Sequence, residues 1–157
     1  AARDLFDARG RLRDPRRDRE RLRVALLVYA GVSRRDWRAV TLDAIQGDPD
    51  DVDRRLLPVL RADVAPPRGG EAAWTRRLVE ECRELVGGLL PLRGNELEFL
   101  ARLNDSGEIV PELLTEDKRV RGIIRVHPGL LWKAWNVKRY RGLEPAGGAD
   151  GDEGPRA

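Results

Sequence analysis

Apolar side chains recur along this chain at helical spacing, and the strict alternation of a half-buried strand is missing. Leu22, Ala25, Leu26, Tyr29 and Ala30 fall at i, i+3, i+4, i+7 and i+8, one stripe of an amphipathic helix that Gly31 closes. Ser33 then caps the short turn behind it through its hydroxyl. Trp74, Leu78, Cys82, Leu85 and Leu89 make the most regular stripe, with Arg76, Arg77, Glu80, Glu81 and Glu84 on the other side. That spacing predicts a helix over 71–90 whose apolar stripe is the spine of the core. Gly87 and Gly88 weaken its last turn by roughly 1 kcal/mol each relative to alanine.

Helix-start and helix-stop residues divide the remainder. Asp48-Pro49-Asp50 opens a helix, with Asp48 as N-cap, Pro49 in the first turn and acids at the positive end of the dipole. Pro58 interrupts the apolar run 56–60 and should kink or break that helix. Residues 65–70 read as a loop. Leu97, Phe99, Leu100 and Leu103 belong to a further helix that Gly107 ends, and Pro111 starts a short turn. Two more helices are predicted over 117–126 and 128–141, broken at His127 because a residue before proline avoids helical geometry. Beyond Gly142 the composition turns to Gly, Pro and acids, which predicts disorder. The fold class is therefore all-α, an irregular bundle of roughly six to eight helices.

Composition narrows the class further. Aromatics make up 5% of the 157 residues and charged side chains 36%, so the core must consist mostly of Leu, Val and Ala. A single cysteine, Cys82, cannot form an internal disulfide, which fits a reducing, cytoplasmic setting. No apolar run approaches a membrane span and no signal peptide opens the chain. Charge is uneven along the chain. Residues 1–38 hold twelve arginines against six acids, whereas 142–157 hold one arginine and four acids. Such an arginine surplus could face phosphates. The interleaved Asp14, Asp18 and Glu20 favour a solvated helix face with pairs such as Arg16–Glu20.

Two constellations could carry chemistry. Asp4 and Asp7 lie one helical turn apart, with Arg3 placed to hold a carboxylate. Residues 132–141 interleave Trp132, Trp135 and Tyr140 with Lys133, Lys138, Arg139 and Arg141. Rings among cations suit a single-strand RNA platform. A terminal amphipathic helix explains them too, with Leu131 and Trp135 packed inward and Lys133, Lys138 and Arg139 solvated. Packing is the favoured reading for the tryptophans, and the basic face stays open for RNA. The lone His127 is a helix-boundary residue. Asp48, Asp50, Asp51 and Asp53 fail the EF-hand pattern, because Asp53 stands where glycine is required and Val59 where the bidentate acid belongs. No phosphate-binding glycine loop, zinc quartet or nucleophile elbow is present, and no metal site is assigned.

ARDLFDARGRL at 2–12 and FLARLNDSGEIVPELLTEDKRVRGIIRVHPGLLWKAWNVKRYRG at 99–142 resemble the C-terminal half of the AbiEii/AbiGii family of nucleotidyltransferase toxins. The W-R-x-V segment at 37–40 and L-x-P-V-L-R at 56–61 fit as well, and W-K-A-x-N-V at 132–137 is the most specific element. The resemblance implies a helical domain behind a polymerase-β-like catalytic module. That module's G-G-[ST] loop and paired-Asp motif are not found in the 157 residues, which implies a fragment without activity of its own. On this reading residues 1–14 are the last motif helix of the catalytic module, 15–141 the helical domain and 142–157 a disordered tail. The RD-x-[FY]-D element, which closes the nucleotide cleft in the family, falls on Arg3, Asp4, Phe6 and Asp7. Asp4 and Asp7 thereby become candidate catalytic residues, with Arg3, Lys133, Lys138 and Arg139 as candidate substrate-binding residues. The full-length protein would use NTP with Mg²⁺, an acceptor such as tRNA and a cognate antitoxin protein. The alternative is a non-catalytic helical module, a truncated toxin that binds protein or RNA.

Overall fold

A computed structural model of the chain describes residues 2–14 and 18–143. They form seven α-helices and no strand: α1 (Ala2–Leu12), α2 (Arg19–Val32), α3 (Pro49–Asp51), α4 (Glu71–Gly87), α5 (Gly94–Ala101), α6 (Lys118–Arg125) and α7 (Pro128–Tyr140). Single 3₁₀ or π turns fill several of the connections. The all-α bundle read from the sequence is the fold. Of the tail expected at 142–157, residues 144–157 lie outside the described residues, as does Arg16 of the expected Arg16–Glu20 pair.

The boundaries follow from local chemistry. Asp18, Asp48 and Asp117 cap α2, α3 and α6, each accepting a backbone N–H from the residue two positions on at 2.9 Å. Ser33 Oγ accepts the N–H of Arg35 at 3.1 Å, as its position predicts. Pro58 has the expected effect. α3 runs into a π turn, Val52–Leu56, and then a 3₁₀ turn, Leu57–Val59, in place of a longer helix. The break at His127 is also present, in extended geometry at ψ 117°. Gly107 ends the Arg102–Ser106 π turn in the left-handed region at φ 65°, which is why glycine stands there.

Two apolar clusters hold the bundle. The larger one joins Leu27 and Ala30 of α2, Phe99 and Leu100 of α5, Leu103, Ile124 of α6, and Leu130 and Ala134 of α7. The smaller one gathers Ala2 of α1, Val52 and Leu56, with Phe6, Leu57, Leu60 and Trp74 around it. α4 carries the predicted stripe. Leu78, Cys82 and Leu89 are buried, while Trp74 and Leu85 are half-buried, and the helix itself stops at Gly87.

Two predicted stripes are rotated. On α2 the buried face is Arg23, Leu27, Ala30 and Gly31, whereas Ala25 is exposed and Tyr29 is 75% exposed. Residues 24–30 are apolar throughout, so periodicity alone could not choose a face. Arg23 and Gly31 choose it. Arg23 is drawn inside by Glu96, and Gly31 lies where an added Cβ would stand 2.7 Å from Leu103 Cδ2 and 2.9 Å from Leu130 Cδ2. Gly31 therefore does not close the helix. It permits close packing, and α2 continues to Val32 with Ser33 as its C-cap. On α7 the buried residues are Leu130 and Ala134, not the expected Leu131 and Trp135, which are 48% and 49% exposed. The small Ala134 is the residue that fits beside the Gly107 turn, where its carbonyl sits against the glycine.

The solvated reading favoured for most of the early arginines does not extend to Arg23. Arg23 is buried, and Glu20 pairs with Arg93 at 2.9 Å, across the bundle. That guanidinium holds the Glu20 carboxyl below its ordinary pKa.

Candidate functional site

α1 has an anchored side and an exposed side. Ala2 is buried and its N–H donates to Asp51 Oδ2 at 2.6 Å. Phe6 stacks on Trp74 at 6.2 Å between centroids, and the Arg9 guanidinium sits 4.8 Å over the Phe6 ring while pairing with Glu81 at 3.2 Å. Cys82 Sγ donates to Leu5 O at 3.3 Å, and burial pushes the Cys82 thiol above its ordinary pKa. Against this fixed side, Arg3, Asp4 and Asp7 all face solvent. The structure thus places the three α1 candidates on one exposed face. Asp4 also borders a shallow depression of about 380 Å³ lined by Leu5, Ala8, Ile45, Gln46 and Val86. Among the described residues no three His, Cys, Asp or Glu side chains gather as a metal site.

The α7 candidates do not act as one set. Lys133 is half-buried and its Nζ donates to Ser33 O at 3.3 Å, which turns it toward the end of α2. Lys138 and Arg139 are exposed, and the Arg139 guanidinium lies 5.1 Å over the Trp135 ring. α1 packs on α4 and the Val52–Leu56 turn, whereas α7 packs on α2, α6 and the Arg102–Ser106 turn. The carboxylate pair and the basic helix therefore belong to different parts of the bundle.

Sequence reasoning missed how open the tryptophans of α7 are. Trp132 is 60% exposed, and Trp132, Trp135 and Arg139 fall at i, i+3 and i+7 on one outward stripe. The signal lay in the small residues Gly129 and Ala134. They mark the face on which α7 approaches its neighbours, and so leave the larger rings outside. His127 proves to be a boundary residue whose Nδ1 is buried without a partner.

No family model, no curated protein and no solved structure matches the chain. Fold and site together define an all-α helical bundle with one exposed carboxylate-bearing helix and one exposed aromatic, basic helix. Among the described residues no helix is long and apolar enough to cross a membrane.

Proposed function

We propose that the chain is the helical C-terminal part of an AbiEii-like nucleotidyltransferase toxin of a toxin–antitoxin or phage-defence system. In the longer, cytoplasmic protein a polymerase-β-like module transfers a nucleotide from NTP to an acceptor such as tRNA. The observation that carries this reading is the two-sidedness of α1. Its inner side is locked by Phe6, Arg9 and Ala2, so its outer side can present Arg3, Asp4 and Asp7 at a fixed angle to a neighbouring module. A charged helix face held rigidly from behind is what a nucleotide cleft needs at its edge.

Mg²⁺ bound with NTP would supply charge neutralisation for the triphosphate. Two carboxylates one turn apart can complement that ion or the triphosphate's surroundings, yet they do not make a complete site. The remaining ligands belong to an upstream module. Arg3, beside the pair, is placed to meet a phosphate bidentately.

Two measurements test the reading. The DNA upstream of the Ala1 codon should encode, in frame, a G-G-[ST] loop and a D-x-D strand. The longer product should transfer label from NTP to an RNA acceptor while the 157-residue chain does not. A stop codon directly upstream, or no transfer by the longer product, contradicts it. A non-catalytic binding module is the second reading, favoured by the exposed rings of α7.

A further inference from the structure

Between Lys118 and Gly142 the chain carries eight basic residues and no acid. Nowhere else does one sign of charge run so long, and this stretch makes up α6 and α7. Some of the charge is neutralised across the bundle, since Arg125 pairs with Glu112 and Arg141 lies 3.5 Å from Asp105. Lys138 and Arg139 have no carboxylate partner among the described residues. They follow the two most exposed tryptophans along α7, and Tyr140 beside them is 93% exposed.

We propose that the outward face of α7 is a platform for single-stranded nucleic acid, with Trp132 and Trp135 stacking bases and Arg139 and Lys138 meeting phosphates. Three features select this occupant over another protein. A protein-binding helix face of this size is usually depleted of charge at its centre, whereas here Arg139 shares the stripe of the two rings, one turn beyond Trp135. Its guanidinium already lies against Trp135, the geometry in which one cation serves both a ring and a phosphate. With Arg125 and Arg141 paired, six of the eight basic residues between Lys118 and Gly142 remain without a carboxylate partner among the described residues, a charge that matches a polyanion. Rings standing free on a helix surface need unstacked bases, so a single strand fits and a duplex, with its bases paired, does not. α7 spans about 20 Å, room for roughly three or four nucleotides. The platform needs no catalytic module, so it goes beyond the nucleotidyltransferase reading and can stand if that reading fails.

The test uses the 157-residue chain and three fluorescein-labelled probes: a uridine dodecamer, a thymidine dodecamer and a twelve-base-pair RNA duplex. Anisotropy is read from about 50 to 200 mM salt, the range over which counterion release is measured. The expected result is binding of at least one single strand with the duplex markedly weaker. Preference between the uridine and thymidine strands then tells RNA from DNA. Trp132→Ala and Trp135→Ala should each weaken single-strand binding about tenfold or more, as loss of a stacked base does. Trp135→Phe should retain most of it. Arg139→Gln should lower the slope of log affinity against log salt by about 0.7. Both rings are exposed, so circular dichroism and the thermal midpoint of these variants should match the parent. Equal or tighter binding of the duplex overturns the platform, as does an affinity that the tryptophan variants leave unchanged. Absence of binding at 50 mM salt, together with self-association that Trp132→Ala abolishes, would assign the face to a second copy of this chain.

Discussion

Arg23 and Glu96, 73 residues apart in sequence, meet as a buried ion pair between α2 and α5, with Nη2 2.8 Å from Oε2. The same carboxylate accepts the N–H of Arg93 at 2.6 Å, capping α5. Arg23 also donates to Gly88 O at 3.2 Å and Pro91 O at 3.1 Å, so one guanidinium ties α2 to the turn that follows α4. Neither charge is left with an open hydrogen-bonding side, which is the condition under which burial of a pair is tolerated.

Removing one partner should therefore be costly. Glu96→Ala leaves a buried guanidinium uncompensated and should lose about 3–5 kcal/mol in urea denaturation. The double replacement Arg23→Met with Glu96→Leu should lose less than Glu96→Ala alone. A single-variant loss below about 1 kcal/mol would place the pair in contact with water.

Two glycines with different surroundings should respond with opposite sign. At Gly107, φ is 65° and an added Cβ would stand 2.5 Å from the Ala134 carbonyl oxygen. Gly107→Ala combines backbone strain with a clash and should cost about 1–3 kcal/mol or more. Gly122 of α6 has nothing within 4 Å, so Gly122→Ala should raise stability by up to about 1 kcal/mol. Thermal midpoints of the two variants check both signs at once.

Cys82 gives a pH-dependent prediction. Burial raises the thiol pKa in the folded state above its ordinary 9.0, so the folded chain keeps the proton that the unfolded chain releases. Stability from this group is complete below pH 9.0 and falls as pH rises past it. The Cys82→Ala variant should show a flatter decline than the parent above about pH 9, where the free thiol has begun to ionise. A thiol reagent at about pH 8 should react slowly with the native chain and fast in denaturant. Rapid native labelling would show that Leu5 O does not hold the thiol inside.

The helices, the Asp48 cap and the breaks at Pro58 and His127 were legible because each rests on local chemistry. The α4 stripe was legible because charged residues fill its other face. The facing of α2 was not, since residues 24–30 are apolar all round and the decision falls to a long-range ion pair. The facing of α7 was misread for a related reason. Trp135 is larger and more apolar than Ala134, yet packing beside the Gly107 turn has room only for the smaller side chain. Arg3, Asp4 and Asp7 were readable as one exposed face because they stand on the first turns of a helix whose opposite side carries Phe6. That Lys133 turns away from Lys138 and Arg139 depended on where α2 ends, which no local pattern states.

The most direct test replaces Asp4 and Asp7 by Asn, one at a time, in the longer protein that the proposed function requires. Both side chains are exposed on the first turns of α1, so each variant should fold with a loss of at most about 1 kcal/mol. If they act at the edge of a nucleotide cleft, transfer of label from NTP to RNA should fall by about 10²-fold or more, the usual cost of lost transition-state electrostatics. Transfer rates equal to the parent in both variants would contradict the proposed role and leave α1 as a structural helix with a solvated outer face.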